Sequence, residues 1–217
     1  MNIKSFVFNR NNTNTYIVSD ESSHEAIIID LGCCSDKEFD RFDRYMKDEQ
    51  LIIKQCICTH LHFDHIWGIT YLLDRYGIKT KASKLDEYLI EWNKMSAIFM
   101  NIDNKEKELL NYNSFIWLEH IPSKIVIGEY TFQIISTPGH SPGSVSLYNE
   151  SKGVLFSGDV LFENAYGRTD LEGGDSELLK HTITSLLKFP NEVMVFPGHG
   201  PHFTVGYRKK VVNQKTR

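Results

Sequence analysis

The chain has 217 residues, of which 41% are hydrophobic, and this length predicts one domain over residues 1–217 rather than two domains and a linker. The formal net charge of −4 and the sequence pI near 6.1 exclude a general electrostatic attraction to nucleic acid or to anionic membranes. Because no run of about 18 apolar residues occurs and the four cysteines form no C-x-x-C pair, we expect a cytoplasmic protein with reduced thiols.

The first clear element is an amphipathic helix, predicted from Asp36 to about Asp48. Ser35 is the expected N-cap, and Glu38 would complete a capping box. An apolar stripe at helical spacing indicates the face that packs on the core. The residues of this stripe are Phe39, Phe42 and Met46.

Four potential metal ligands follow the next predicted strand, the mostly apolar run from Leu51 to Cys58. Within that strand, Cys56 and Cys58 point to one face, which predicts burial as small apolar groups. The ligands lie in the motif H-L-H-F-D-H, residues 60–65. On a helix, the first two histidines would lie about 200° apart and could not share one ion, so the motif requires a strand end or a loop.

A short helix is predicted next, from about Ile69 to Tyr76 with Gly77 as the residue that ends it. Residues 84–119 then form a segment rich in aromatic residues and methionine, predicted as two helices broken near Asn101–Asn104. We interpret this segment as a helical insertion near the active site that supplies a lid or wall. Ordinary packing or the surface of a homodimer is the alternative.

The second half of the chain repeats the pattern of strands followed by ligands. Strands are predicted at KIVIGE, YTFQIIS, SVSLYN and GVLFSG, and Asp175 caps a helix that runs to about Lys188. A last strand, Val193–Phe196, leads into P-G-H-G. The three further ligand candidates in this half are His140, Asp159 and His199.

Five histidines and two aspartates exceed what one ion needs, but two adjacent ions that share a bridging carboxylate would use all seven. Imidazole and carboxylate ligands favour zinc, or iron or manganese, over calcium. The basic end, Arg208–Arg217, is predicted as a frayed terminus. The remaining histidines are interpreted as surface or packing residues: His24, His120, His181 and His202.

These motifs resemble the metallo-β-lactamase superfamily over nearly the whole chain. The segments N-T-N-T-Y-I-V (Asn12–Val18) and I-I-I-D-L-G (Ile27–Gly32) are similar to its first hairpin, and HLHFDH, PGH, GD and PGHG follow in family order. The resemblance implies an α/β fold of four layers, αββα. It also implies that Asp30 orients a ligand loop, with ordinary turn capping as the alternative.

The resemblance further implies a ligand set for two divalent metal ions, with Asp159 bridging them. One ion would be bound by His60, His62 and His140, and the other by Asp64, His65 and His199. Within the family, Asp159 argues against a true β-lactamase, and histidine rather than glutamate at position 62 argues against the flavodiiron oxygen reductases.

The phrase G-R-T-D (residues 167–170) resembles short bacterial proteins similar to glyoxalase II, although persulfide dioxygenases carry a similar phrase. His65 and His140 stand 75 positions apart, a spacing typical of the short bacterial form. From the 18 residues after His199, we expect no C-terminal helical domain like the one that helps longer glyoxalase II enzymes hold glutathione.

The function expected from this resemblance is hydrolysis of a small acyl thioester, such as S-lactoylglutathione or a related thiol ester, by a metal-bound hydroxide. Asp64 and Asp159 are the expected catalytic carboxylates, with Asp64 or a bound water managing protons. A persulfide dioxygenase with a single Fe(II) is the main alternative, and lactonase or phosphodiesterase activity stays open. Three loop residues are expected either to contact the substrate or to brace the loop: Tyr166, Arg168 and Asp170.

Overall fold

The computed structural model describes residues 1–93, 112–120 and 123–215. The chain divides into two compact units. The first unit comprises Met1–Glu119 and Val126–Tyr130, and the second comprises His120–Ile125 and Thr131–Arg217. The organisation into a single domain therefore stays a prediction.

The first sheet has six strands that are neighbours in sequence order. They are β1 (Asn2–Phe8), β2 (Thr13–Ser19), β3 (Glu25–Ile29), β4 (Ile52–Ile57), β5 (Thr80–Ser83) and β6 (Phe115–Leu118). Strands β1 to β3 pair antiparallel, whereas β3 to β6 pair parallel. Since parallel strands end at one sheet edge, the segments that follow β3, β4 and β5 leave the sheet on the same side.

Two helices of the first unit have the predicted bounds, α1 (Asp36–Asp48) and α3 (Ile69–Tyr76), the second of which ends at Gly77 with a φ of 69°. The short helix α2 (Phe63–Ile66) was not predicted, and the capping box predicted at the start of α1 is wrong. Ser35 is the N-cap of α1, yet its side chain makes no capping hydrogen bond to any described residue. Glu38 instead accepts hydrogen bonds from the backbone N–H groups of Asn9 and Cys34, at 2.7 and 2.8 Å, so its carboxylate ties the helix to a neighbouring loop.

The two cysteines at the end of β4 are buried, as predicted, but in different apolar clusters. Because the strand ends at Ile57, Cys58 leaves the two-residue alternation and packs with Leu61 and Trp67, whereas Cys56 packs with Ile28. Burial raises the pKa of the Cys56 thiol to about 12 and also raises the pKa of Cys58. Both residues therefore act as small core groups rather than reactive thiols.

The segment of residues 84–119 is only partly helical in its described residues. It contains a 3₁₀ turn at Lys84–Asp86, helical residues 89–93, a second 3₁₀ turn at Tyr112–Ser114 and strand β6. The prediction of helix was wrong at Phe115–Leu118, because these aromatic and β-branched residues pair in parallel with β5. The predicted break near Asn101–Asn104 lies outside the described residues.

The second sheet also has six strands, in the order β12-β11-β10-β9-β8-β7. They are β7 (Ser123–Ile127), β8 (Tyr130–Ser136), β9 (Val145–Asn149), β10 (Val154–Gly158), β11 (Met194–Pro197) and β12 (Phe203–Thr204). The pairing of β10 with β11 is parallel and is connected through helix α4 (Ser176–Leu186). Asp175 caps α4 as predicted, since its carboxylate accepts from the N–H groups of Glu177 and Leu178. Within the described ranges, no helix is long and apolar enough to cross a membrane.

The basic C-terminal segment is a helix rather than the frayed tail predicted from the sequence. Helix α5 spans Val205–Lys215, and Arg208 on it is only 3% exposed. Its guanidinium Nη2 donates to the carbonyl of Ala165 at 3.0 Å, and burial lowers the pKa of Arg208. The basic composition of the segment could not predict the burial of Arg208, because the long aliphatic part of an arginine side chain can pack on apolar surface.

Replacing Arg208 with Ala should lower the free energy of unfolding by about 1–3 kcal/mol, since the change removes buried packing and a charge-assisted hydrogen bond. Lys210→Ala is the matched control, because Lys210 is exposed on the same helix. Urea denaturation of both variants measures the difference. If the two variants have the same free energy of unfolding, the packing of Arg208 does not stabilise the protein and the segment behaves as a frayed tail.

Candidate metal centre

The first group of candidate ligands lies in the loop after β4 and in the short helix α2. His62 has an extended backbone, with φ of −68° and ψ of 147°, so His60 and His62 lie in a loop after the strand, as predicted, whereas Asp64 and His65 lie in helix α2. Ligand atoms of His60 and His62 lie within 4.8 Å of each other, as do those of His60 and His65. The Nε2 atom of His65 lies 3.8 Å from Oδ2 of Asp64. All four side chains are buried, which is unusual for such polar groups unless they bind something.

A buried carboxylate, that of Asp30, organises this first group. Its Oδ1 accepts from the backbone N–H of Thr59 at 2.7 Å, and its Oδ2 accepts from the Thr59 hydroxyl at 2.7 Å. The same Oδ2 lies 3.0 Å from Nδ1 of His65. Asp30 therefore orients the ligand loop as predicted, and a hydrogen bond at Nδ1 leaves Nε2 as the nitrogen of His65 that can bind a metal.

Asp64 is held by the first hairpin. The hydroxyl of Thr13 donates to Oδ2 of Asp64 at 2.6 Å, and the side-chain amide of Asn9 donates to the Asp64 carbonyl at 3.0 Å. Asn9 also donates to the carbonyl of Gly32 at 2.9 Å. A Cβ atom at Gly32 would lie 2.7 Å from the Asp64 carbonyl oxygen, so this close approach requires glycine.

The second group of candidate ligands lies in loops of the second unit. Asp159 and His199 follow the parallel strands β10 and β11, so both lie at the same sheet edge. Oδ2 of Asp159 lies 3.7 Å from Nε2 of His140 and 3.4 Å from Nε2 of His199. This one carboxylate therefore faces two imidazoles, as a bridging ligand requires.

His140 is oriented through its other ring nitrogen, like His65. Its Nδ1 lies 2.7 Å from the carbonyl oxygen of Arg168. A side chain at Gly167 would overlap the carbonyl oxygen of Asp159 and crowd His140, so the glycine of the G-R-T-D phrase allows this approach. The loop after Asp159 thus connects two candidate ligands through its backbone.

The three predicted substrate-contact residues lie on this loop and are exposed. Arg168 forms two hydrogen bonds with Asp170, from Nε to Oδ1 and from Nη2 to Oδ2, both at 2.7 Å. This pairing lowers the pKa of Asp170 to about 2. The pairing of Arg168 with Asp170 braces the loop, which is one of the two predicted roles. A substrate contact by Arg168, Asp170 or Tyr166 stays a prediction.

The four remaining histidines, expected to be either surface or packing residues, are exposed: His24, His120, His181 and His202. The supporting residues Asn9, Thr13 and Thr59 were missed by the sequence analysis. Asn9 lies 55 positions from its partner Asp64. The only local signal was the position of Thr13 inside the N-T-N-T segment.

The chemistry of both groups fits divalent metal ions. Histidines that bind metals almost always donate their other ring N–H to a carboxylate or a carbonyl. His65 and His140 show this arrangement with Asp30 and Arg168. Nitrogen and carboxylate donors suit zinc, iron or manganese and not a soft ion that prefers thiolates.

Asp30→Asn should weaken zinc binding by about 10–100-fold, because an amide cannot accept hydrogen bonds from both Thr59 and His65 as the carboxylate does. Asp20→Asn is the matched control, since Asp20 is a buried aspartate of the same unit that accepts from Ser22 and Ser23 in a turn. Competition with a chelator measures the affinity of each protein. If Asp30→Asn and Asp20→Asn lose zinc affinity equally, Asp30 acts only as a turn cap and does not orient the ligand loop.

Comparison with known proteins identifies the family. Residues 9–199 match the model of the metallo-beta-lactamase superfamily. The hydroxyacylglutathione hydrolase GloC of Haemophilus influenzae is 29% identical, over 97% of this chain and 96% of that protein. The crystal structure of the BLEG-1 B3 metallo-beta-lactamase is 34% identical with a TM-score of 0.81, covering 96% of this chain and 97% of its own.

A second structure, TTHA1623 in a di-iron-bound form, is 27% identical with a TM-score of 0.81, covering 96% of this chain and 98% of its own. These likenesses confirm the predicted α/β class and metallo-β-lactamase fold. The motif order, the oriented histidines and the matched model lead to one conclusion: the chain belongs to the metallo-β-lactamase superfamily.

Proposed function

We propose that the two ligand groups together bind two divalent metal ions and that the chain hydrolyses a small acyl thioester. Asp159 is the proposed bridge, and each ion takes three further ligands. The first ion is assigned to His60, His62 and His140, and the second to Asp64, His65 and His199. The observation that carries this proposal is the orientation of the imidazoles, since protein oxygens lie against Nδ1 of His65 and His140 in both groups.

Bound at these residues, two divalent ions supply Lewis acidity that activates water and polarises a carbonyl. The chain's own contribution is orientation and proton handling. Thr13 donates to Oδ2 of Asp64, which fixes the direction of this carboxylate. Asp64 is the group that we propose to accept a proton from the attacking water.

A thioester such as S-lactoylglutathione, or a related thiol ester, is the substrate class we propose. The likeness to the GloC protein over nearly the full length of both chains supports it, together with the G-R-T-D phrase. A thiolate leaves without a strong general acid, which suits a site built from histidines and carboxylates. We propose Tyr166, Arg168 and Asp170 as substrate contacts, because their loop also holds His140.

Zinc is the metal we propose, with iron as the competing ion because the TTHA1623 structure is described as di-iron-bound. Cleavage of a β-lactam is the second candidate function: the likeness to BLEG-1 favours it, and Asp159, which argues against a true β-lactamase, disfavours it. Its leaving group is an amine nitrogen that needs a proton, unlike a thiolate. Buried thiols at Cys33, Cys56 and Cys58 support a reducing compartment such as the cytoplasm.

Elemental analysis together with a substrate panel tests this proposal. The purified protein should contain two zinc ions per chain and cleave thioesters in preference to lactones, phosphodiesters and β-lactams. One Fe(II) per chain with oxygen consumption on a persulfide would instead identify a persulfide dioxygenase. Two ions with preferential β-lactam cleavage would support the second candidate.

Asp159→Asn should lower the metal content and reduce kcat by about 100-fold or more, because the bridging carboxylate contacts both proposed ions. Asp175→Asn is the control, since Asp175 is an aspartate of the same unit and asparagine is an equally good N-cap. Metal analysis and initial rates are measured on both proteins. Near-normal turnover of Asp159→Asn at full metal occupancy contradicts the bridging assignment.

Trp92→Ala should raise KM about tenfold, equivalent to about 1.4 kcal/mol, with little loss of metal. The Trp92 ring is half-buried and its centroid lies 6.3 Å from that of His62, so it is well placed to line a substrate pocket. Trp117→Ala is the control, because Trp117 packs against the same apolar cluster. A second candidate wall residue, Phe99, lies outside the described residues.

The kinetics and the melting temperature of these two tryptophan variants separate a pocket role from a core role. Loss of a pocket contact changes KM at constant stability, whereas loss of core packing lowers the melting temperature of both proteins. If Trp92→Ala behaves like Trp117→Ala, with unchanged kinetics of the folded enzyme, Trp92 does not contact the substrate.

A further inference from the structure

The peptide groups of Leu61, the residue between His60 and His62, are held from two sides by side chains. The N–H of Leu61 donates to Oδ2 of Asp86 at 3.2 Å, and its carbonyl accepts from Nδ2 of Asn93 at 2.6 Å. Leu61, Asp86 and Asn93 are all fully buried. Both hydrogen-bonding groups of one backbone residue therefore depend on the segment that follows β5.

The fold brings Asp86 and Asn93 to this position in two steps. The 3₁₀ turn at Lys84–Asp86 starts at Ser83, whose hydroxyl accepts from the N–H of Leu85 at 3.3 Å. In the helical residues 89–93, Leu89 and Ile90 are buried in the same apolar cluster as the Leu61 side chain. Burial of Leu89 and Ile90 thus holds residues 84–93 against the Leu61 side chain. In this position Asp86 and Asn93 can form hydrogen bonds with the Leu61 backbone.

Leu61 is the single residue between His60 and His62. Its backbone conformation therefore determines the directions of the two imidazoles relative to each other. Side chains two positions apart in an extended segment point to the same side, so a rotation of the backbone at Leu61 would turn His60 and His62 apart. The hydrogen bond from the Leu61 N–H to Asp86 and the hydrogen bond from Asn93 to the Leu61 carbonyl both oppose such a rotation. Without them, a buried N–H and a buried C=O would lose these partners, which is unfavourable.

We propose that Asp86 and Asn93 are positioning residues that set the directions of His60 and His62 through the Leu61 backbone. This inference rests on the proposed function, in which these two histidines bind the first metal ion. It also gives the described part of residues 84–119 a role that differs from a lid: the segment supports the ligand loop from the protein interior.

The test compares substitutions that remove one hydrogen-bonding atom while preserving size. Asp86→Leu removes the acceptor for Leu61, and Asn93→Asp replaces the donor with a carboxylate that faces the Leu61 carbonyl. Asp86→Asn is the conservative variant, since its side-chain oxygen still accepts from the N–H. Ser83→Ala is the control, because Ser83 caps the same turn without touching Leu61.

Each protein is stripped of metal and titrated with Zn²⁺ and Co²⁺ against a chelator, and the amide exchange of residues 60–62 is followed by mass spectrometry. Asp86→Leu and Asn93→Asp should bind the first ion about 10–100-fold more weakly and exchange the Leu61 amide faster. Asp86→Asn should retain most of the affinity, and Ser83→Ala all of it. The visible spectrum of the Co²⁺ protein should change only in the variants that lose affinity.

The outcomes separate this inference from the proposed function. If the unmodified protein binds neither Zn²⁺ nor Co²⁺, the proposed function fails and the positioning role fails with it. If it binds two ions while Asp86→Leu and Asn93→Asp keep the same affinity and the same amide protection, only the positioning role is overturned. If Asp86→Leu does not fold, Asn93→Asp and Asp86→Asn decide the question.

Discussion

The contact between the Asp30 carboxylate and His65 is the interaction on which the first ligand group depends. Asp30 has a φ of 55°, a left-handed backbone conformation that costs free energy in a residue other than glycine. That conformation turns the chain at the end of β3, so that the carboxylate can reach Thr59 and His65 at the end of the parallel strand β4. The cost of the turn and of burying the charge is offset by three hydrogen bonds to one carboxylate.

The two ligand groups use the same means of orientation with different chemical groups. In the first group, a side-chain carboxylate lies at Nδ1 of His65, whereas in the second a backbone carbonyl, that of Arg168, lies at Nδ1 of His140. A carboxylate places a full negative charge beside the imidazole and makes its other nitrogen more basic. A carbonyl gives a weaker effect. The two groups therefore offer histidine ligands of unequal donor strength.

Local patterns in the sequence were sufficient to predict some parts of the structure. Helices α1 and α3 were correct in both bounds, because apolar spacing marks α1 and a terminal glycine marks the end of α3. Strand β6 and helix α5 were missed, since pairing with β5 and burial of Arg208 are tertiary effects that override local composition. The seven candidate ligands lie in two groups, four in the H-L-H-F-D-H motif and three in loops of the second unit, and the order of the family motifs made them visible. Their supports Thr13, Asp86 and Asn93 are common polar residues far away in sequence, and only the folded chain identifies them.

The exposed pair of Arg168 and Asp170 has a consequence for how the protein meets a charged ligand. Because the pKa of Asp170 is about 2, its carboxylate stays ionised at any pH near neutrality and cancels the charge of the arginine. The pair then produces little long-range attraction, and the rate at which an anionic ligand associates with this loop should depend weakly on ionic strength. A carboxylate ligand that binds Arg168 through Nε and Nη2 must first displace the carboxylate of Asp170. Exchange of one carboxylate for another changes the energy little, so this loop would select such a ligand by its shape and its remaining contacts rather than by its charge.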